Sequence, residues 1–222
     1  MKKEKDFIPL NFSYFDNETM VEKSRDFFVL IRQRRTVREF SEKPVPEEII
    51  INSVKAAASA PNGANLQPWH FVIIKSYDLK SKLRKLAEEK ERDFYSERAP
   101  EEWLNDLKHL GTNESKPFLE KAPYIIVIFE KKWDVTENGR KKKLYYTRES
   151  VGIATGILIT ALHNSGLATL TYTPENMTFL NELLKRPKNE KPFLLVVTGL
   201  PDSGTLVPDI TKKDFFEIAE IK

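Results

Sequence analysis

Cysteine is absent from this sequence. Disulfides, thiolate metal sites and cysteine nucleophiles are therefore excluded, and the redox compartment is left open. Histidine is scarce too: His70, His109 and His163 stand far apart, which argues against a histidine-rich metal site. Net charge is only +3, so composition gives no push toward nucleic acid or an anionic membrane. No apolar run approaches bilayer-spanning length, because the longest, residues 151–162, is interrupted by Gly152, Thr155, Gly156 and Thr160. The opening Met1-Lys2-Lys3-Glu4-Lys5-Asp6 is not followed by the apolar stretch of a signal peptide. A soluble, cytoplasmic protein with no nucleic-acid and no membrane partner is expected. Internal repeats, a Rossmann fingerprint and a P-loop are missing as well.

What is present is globular. The 222 residues are 40% hydrophobic and 31% charged, enough for a sizeable core in one large domain or two small ones. Asn17 suits the cap of a helix carrying Met20, Val21, Phe27, Phe28, Leu30 and Ile31. Pro46 suits the first turn of a second helix, running through Ala58 into an alanine-rich end at Ala60. Residues 70–75 read as a strand. Asp78 then caps a long charged helix with one narrow apolar stripe at Leu79, Leu83, Leu86, Phe94 and Tyr95, the pattern of a surface or covering helix. Trp103, Leu104 and Leu107 mark a short helix in the polar segment 96–121. Residues 123–129 lack polar alternation and read as a strand buried on both faces. The polar excursion 131–143 turns at Asn138-Gly139 and carries Arg140-Lys141-Lys142-Lys143, which reads as a solvated loop. Residues 149–164 are apolar almost all round, so a central, closely packed helix ended by Gly166 is expected. Strands at 167–172 and 193–197 flank a helix at 179–184, and Phe215, Phe216 and Ile218 lie in the tail. The alternation of helices and strands gives a mixed α and β class.

One loop stands out between the second helix and the first strand: Ala60-Pro61-Asn62-Gly63-Ala64-Asn65-Leu66-Gln67-Pro68-Trp69. Two prolines and an Asn-Gly pair fix its path, small residues allow close approach to its backbone, and Asn62-Gly63 suits positive φ. Alone, its plainer reading is an ordinary helix-to-strand connection. Arg34, Arg35 and Arg38 follow the first helix. Guanidinium forks suit phosphate, and a basic helix end that satisfies its own carbonyls is the plainer alternative.

Taken together, Arg34-Arg35-Thr36-Val37-Arg38-Glu39-Phe40, residues 60–64 and Gln67-Pro68-Trp69 resemble the flavin-binding signature of the nitroreductase superfamily. Within it the chain is similar to the iodotyrosine deiodinase family over nearly its whole length. Phe12-Ser13-Tyr14-Phe15, Trp103-Leu104-Asn105-Asp106-Leu107, Thr171-Tyr172-Thr173-Pro174 and Val207-Pro208-Asp209 carry that likeness. The resemblance implies an α+β, nitroreductase-like fold: a central mixed sheet flanked by helices in an intertwined homodimer. It implies one FMN-binding domain over 1–222, with an active-site lid at about 88–120.

It also implies roles for particular residues. Arg34, Arg35, Thr36, Val37 and Arg38 would hold FMN, and Pro61 and Asn62 would lie against it from the other subunit. The family usually has serine at the Asn62 position. Lys212 falls where the family has arginine near the phosphate, keeping the charge and losing the fork. Thr171, Tyr172 and Thr173 would border the flavin, with the Thr173 hydroxyl near N5, where a donor favours one-electron chemistry. Glu91, Tyr95 and Lys116 would grip the amino-acid end of a halotyrosine, and the Ala64 N–H would meet its phenolate. Glu91 and Tyr95, four residues apart, share a helix face; by spacing alone the plainer reading is a solvated charged surface. The implied activity is reductive dehalogenation of 3-iodotyrosine or a related halotyrosine or halophenol. Electrons would come from NAD(P)H or from a reductase, flavodoxin or ferredoxin. The alternatives are a general NAD(P)H-dependent nitroreductase or flavin reductase of the same fold, and a non-catalytic FMN binder.

Overall fold

The computed structural model describes residues 7–222 apart from His109 and the side chains of Glu97, Arg98, Asp106 and Lys108. His109 and residues 1–6 thus fall outside the described residues. The chain divides into two units, Met1–Arg34 and Arg35–Lys222.

The first unit is built on helix α1 (Asn17–Arg32). Its cap is Asp16 rather than the expected Asn17, because the Asp16 backbone is extended and its carboxylate accepts the Thr19 N–H at 2.8 Å. No residue of α1 is buried, and Phe28 is 60% exposed.

The second unit holds the remaining elements. They are α2 (Glu47–Ala58), β1 (Trp69–Ile74), α3 (Tyr77–Asp93), α4 (Glu101–Lys108), α5 (Phe118–Lys121) and β2 (Tyr124–Lys131). After them come β3 (Trp133–Val135), β4 (Lys141–Lys143), α6 (Thr147–Asn164), β5 (Ala168–Tyr172), α7 (Phe179–Leu183), β6 (Glu190–Gly199) and α8 (Phe215–Ile218). The main sheet has the order β1-β2-β6-β5 with antiparallel pairs, and Thr36 adds a parallel bridge to Thr169 at the β5 edge. That bridge makes the sheet mixed, as expected. It also lays residues 35–38 beside β5, with the Val37 N–H on the Thr169 carbonyl at 3.1 Å.

Strand β2 is buried along nearly all its length. Its side chains alternate between two cores: Ile125, Val127 and Phe129 meet α3, α5 and α7, while Ile126 and Ile128 meet α2 and α6. Each such side chain contributes about 1.5–3 kcal/mol by leaving water. This two-sided burial is why the strand shows no polar alternation.

Several local expectations shift. Helix α2 ends at Ala58, two residues short of Ala60. Helix α3 is capped by Ser76, whose hydroxyl accepts the Leu79 N–H at 3.4 Å, not by Asp78, which sits in the first turn. The excursion 131–143 is a hairpin rather than a plain loop: β3 pairs with β4, and Gly139 takes φ 72° in the turn. Helix α6 buries only one side, through Val151, Ala154, Thr155, Leu158 and Leu162. Ile153 is 46% exposed, and a Cβ on Gly152 or Gly156 would meet nothing within 4 Å. Its cap is Ser165, and Gly166, at φ 81°, follows it in the left-handed conformation that ends the helix.

Candidate active site

Helix α3 buries Lys80, Leu83, Ala87 and Glu91, a stripe at helical spacing with a charge at each end. A charged group inside a protein needs partners, and each has them. The Lys80 ammonium donates to the carbonyls of Glu120 (2.9 Å) and Ala122 (2.7 Å), fastening the end of α5 to α3. Burial lowers the Lys80 pKa. Arg84 bridges Glu88 and Glu120, each at 2.7 Å, and Glu88 accepts the backbone N–H of Lys116 at 2.7 Å. Helix α5 is thereby tied to α3 at both its ends.

Those ties place Lys116. Its side chain is 3% exposed, and its ammonium lies 3.3 Å from Glu91 Oε2. It also donates to Thr112 Oγ1 at 3.3 Å and to the Asn113 carbonyl. The rings of Tyr95 and Tyr172 stand 5.5 and 5.7 Å from it, within cation–π range. Burial lowers the Lys116 pKa, and Glu91 opposes that shift. The other Glu91 oxygen, Oε1, accepts the Tyr172 hydroxyl at 3.0 Å. Burial first, then Glu91, pushes the Tyr172 pKa far up, and burial also raises that of Tyr95, so both phenols stay protonated.

These groups face a cavity of about 430 Å³. Glu91, Tyr95, Thr112, Lys116, Arg38, Thr171, Tyr172 and Thr173 line it; Phe94, Trp103 and Leu107 add apolar surface. Phe94 and Trp103 meet edge to face at 5.2 Å, where α3 runs on into one wide π turn over Phe94–Arg98. Burial lowers the Arg38 pKa. Arg38 is thus a half-buried cation facing the cavity. Such a wall can take an anion beside Arg38 and a zwitterion between Glu91 and Lys116.

Seven of the residues expected from sequence therefore meet in one cavity: Arg38, Glu91, Tyr95, Lys116, Thr171, Tyr172 and Thr173. Thr36 lies beside it, lining a hollow of about 340 Å³ with Arg38, Val207 and Pro208. Arg35 donates to the Pro208 carbonyl. Val37 points into the core. Arg34 closes the first unit, and Lys212 is exposed in the tail.

Pro61, Asn62 and Ala64 do not line this cavity. Their loop is rigidly made all the same. Asn62 accepts the Gln67 N–H at 2.8 Å and donates to the Ala60 carbonyl at 3.1 Å. The positive φ expected at Asn62-Gly63 falls instead on Ala64 (48°), Asn65 (53°) and Gln67 (47°). Gly63 is needed for space: a Cβ there would meet the Tyr145 ring at 3.1 Å and the Tyr146 ring at 3.2 Å. Sequence reasoning missed Lys80, Glu88, Thr112 and the Tyr172 hydroxyl as parts of this arrangement. Lys80 was readable as three residues before Leu83 on the apolar stripe, and Glu88 as the partner of Arg84 one turn away.

The family model for the nitroreductase family matches residues 31–200, which include the whole cavity wall. The chain belongs to the nitroreductase family. Among curated nitroreductase relatives, iodotyrosine deiodinase of Haliscomenobacter hydrossis is 48% identical over 96% of this chain and 96% of its own. Human iodotyrosine deiodinase 1 is 42% identical, over 95% of this chain and 73% of the human one. A solved structure of oxidised iodotyrosine deiodinase bound to FMN and 3-iodo-L-tyrosine superposes with a TM-score of 0.74 at 30% identity. That likeness covers 88% of this chain and 100% of the solved one. The α+β nitroreductase-like fold expected from the sequence is therefore the fold of this chain. Among the described residues no helix is long and apolar enough to cross a membrane.

Proposed function

We propose that this protein is an FMN-dependent reductive dehalogenase of halotyrosines, converting 3-iodotyrosine to tyrosine and iodide. The observation that carries the reading is the Glu91–Lys116 pair with Tyr95, lining one cavity together with Arg38 and residues 171–173. Identity of 41–48% to iodotyrosine deiodinases supports it.

The residues suit FMN. Arg38 is a half-buried cation facing the cavity, and Thr173 carries an exposed hydroxyl just past the end of β5. Arg34, Arg35, Arg38 and Lys212 serve the phosphate and the ring edge, with Thr36, Val37 and Thr171 contributing further contacts and Tyr172 contributing its backbone alone. Bound flavin supplies the electrons. Glu91 takes the substrate ammonium, and Lys116 and Tyr95 take its carboxylate. Thr173 donates toward flavin N5. Replacing C–I by C–H consumes two electrons and one proton and releases iodide.

The working form in this reading is a homodimer. Pro61 and Asn62 of one protomer approach the flavin of the other, and the Ala64 N–H donates to the substrate phenolate. The exposed apolar residues of α1, the open side of α6 and exposed Phe215 and Phe216 support an assembly. Residues 1–222 act as one FMN-binding domain, with 88–120 as the lid over the substrate. Reducing equivalents come from NAD(P)H or from a reductase, flavodoxin or ferredoxin in the cytoplasm.

The test is a single turnover. Protein loaded with FMN and reduced anaerobically is mixed with 3-iodotyrosine, and iodide and tyrosine are measured. One iodide and one tyrosine per flavin oxidised is expected. Intact iodotyrosine beside rapid reduction of a nitroaromatic would make the protein a general nitroreductase instead.

A further inference from the structure

We infer that Tyr172 is a positioning residue: its hydroxyl holds the Glu91 carboxylate where a substrate ammonium needs it, and so sets a preference for halophenols that carry an amino-acid end. The inference rests on the proposed function and deepens it.

Among the described residues each oxygen of Glu91 has a partner. Oε1 accepts from the Tyr172 hydroxyl at 3.0 Å, and Oε2 lies 3.3 Å from the Lys116 ammonium. An arriving zwitterion enters between the charges of that ion pair. Its carboxylate draws on Lys116, and its ammonium must find Oε2 still in place. Lys116 then shares its charge with the ligand, so the contact that keeps Glu91 from turning is the one to Tyr172.

That contact has a firm mounting. Glu91 is in the last turn of a helix that passes into a wide π turn, whereas Tyr172 is the final residue of β5, paired with Leu195 of β6. The Tyr172 ring is itself held edge to face by Phe118 at 5.5 Å. A sheet-mounted hydroxyl thus fixes a helix-mounted carboxylate. Burial keeps the phenol protonated, so it remains a donor. Thr171 on the strand and Thr173 just past its end are exposed where Tyr172 is buried, so the Tyr172 side chain serves Glu91 while the threonines border the flavin position.

Tyr172→Phe keeps the ring and its contact with Phe118 and removes only the donor. FMN-loaded wild type and variant are titrated with 3-iodotyrosine and with 2-iodophenol, which lacks the amino-acid end, while flavin fluorescence is followed. Losing a hydrogen bond to a charged group predicts about tenfold weaker iodotyrosine binding, with iodophenol binding changed by less than about twofold. The apparent KM for iodotyrosine rises by about the same factor, while kcat moves far less. Equal weakening of both ligands, or a fall in kcat at constant KM, would make Tyr172 a packing or flavin contact and overturn the inference. A wild-type response to iodotyrosine that the variant leaves unchanged overturns this inference alone. A wild type that never responds to iodotyrosine overturns the proposed function and this inference with it.

Discussion

Lys141, Lys142 and Lys143 make up an entire strand of cations, all exposed, while Lys116 stands alone and is 3% exposed. The hairpin cations need nothing from the protein beyond water, although Lys141 also lies over the Trp133 ring at 4.5 Å. Lys116 is surrounded by groups that compensate its burial: Glu91, Thr112, the Asn113 carbonyl and two aromatic faces. A dense run of charge thus marks a solvated surface, and an isolated charge with assembled partners marks the place where binding energy is stored. The desolvation is already incurred in the folded protein, so a ligand that substitutes for those partners meets a prepared site.

The largest effect should come from Lys116→Ala. Truncating one member of a buried, paired charge costs about 2–5 kcal/mol, so iodotyrosine affinity should fall at least about thirtyfold. FMN content should not change. Loss of flavin in this variant, read from the absorbance of the purified protein, would place Lys116 against the cofactor instead.

Next is Glu88→Ala, which strips the acceptor from the Lys116 N–H and one of the two carboxylate partners from Arg84. A stability loss of about 1–3 kcal/mol is expected in urea unfolding. A midpoint equal to wild type would show that these ties do not hold the segment.

The third is a pH effect at His70, whose pKa is lowered mainly by burial, with Glu190 opposing. Below the unfolded value of 6.5 the unfolded chain binds the proton more readily than the folded one. Stability should therefore fall as pH drops below 6.5 toward the lower folded value. His70→Gln should flatten that part of the profile, and an unaltered slope would remove His70 from the account.

The smallest effect belongs to the hairpin. Replacing Lys141, Lys142 and Lys143 together by alanine should change stability by no more than about 0.5 kcal/mol per site and leave iodotyrosine binding alone. A loss comparable with that of Lys116→Ala would erase the contrast.

The four main strands were legible because their apolar runs are bounded by turns. Their order was not, since the β1-β2-β6-β5 arrangement depends on pairings between distant segments. Caps were misread by one or two residues because Asp16 and Ser76 compete with equally suitable neighbours. The hairpin was hidden by its cations, which mask β pairing in composition. At the site, Glu91, Tyr95, Lys116 and Thr173 came from the family resemblance; their spacing alone favoured a solvated helix. The Tyr172–Glu91 contact spans 81 positions in sequence, so no local pattern announces it. Lys80 and Glu88 were in plain view, but their burial and bonding depend on where α5 docks.

The central claim is that the cavity recognises the charged end of an amino acid as well as an aromatic halide. The direct measurement is the ratio of dissociation constants for 3-iodotyrosine and 2-iodophenol on the FMN-loaded wild type, read by flavin fluorescence. Contacts from Glu91 and Lys116 to the zwitterion, each a charge-assisted bond, predict a preference on the order of a hundredfold or more for iodotyrosine. Equal affinity for the two ligands would contradict the account.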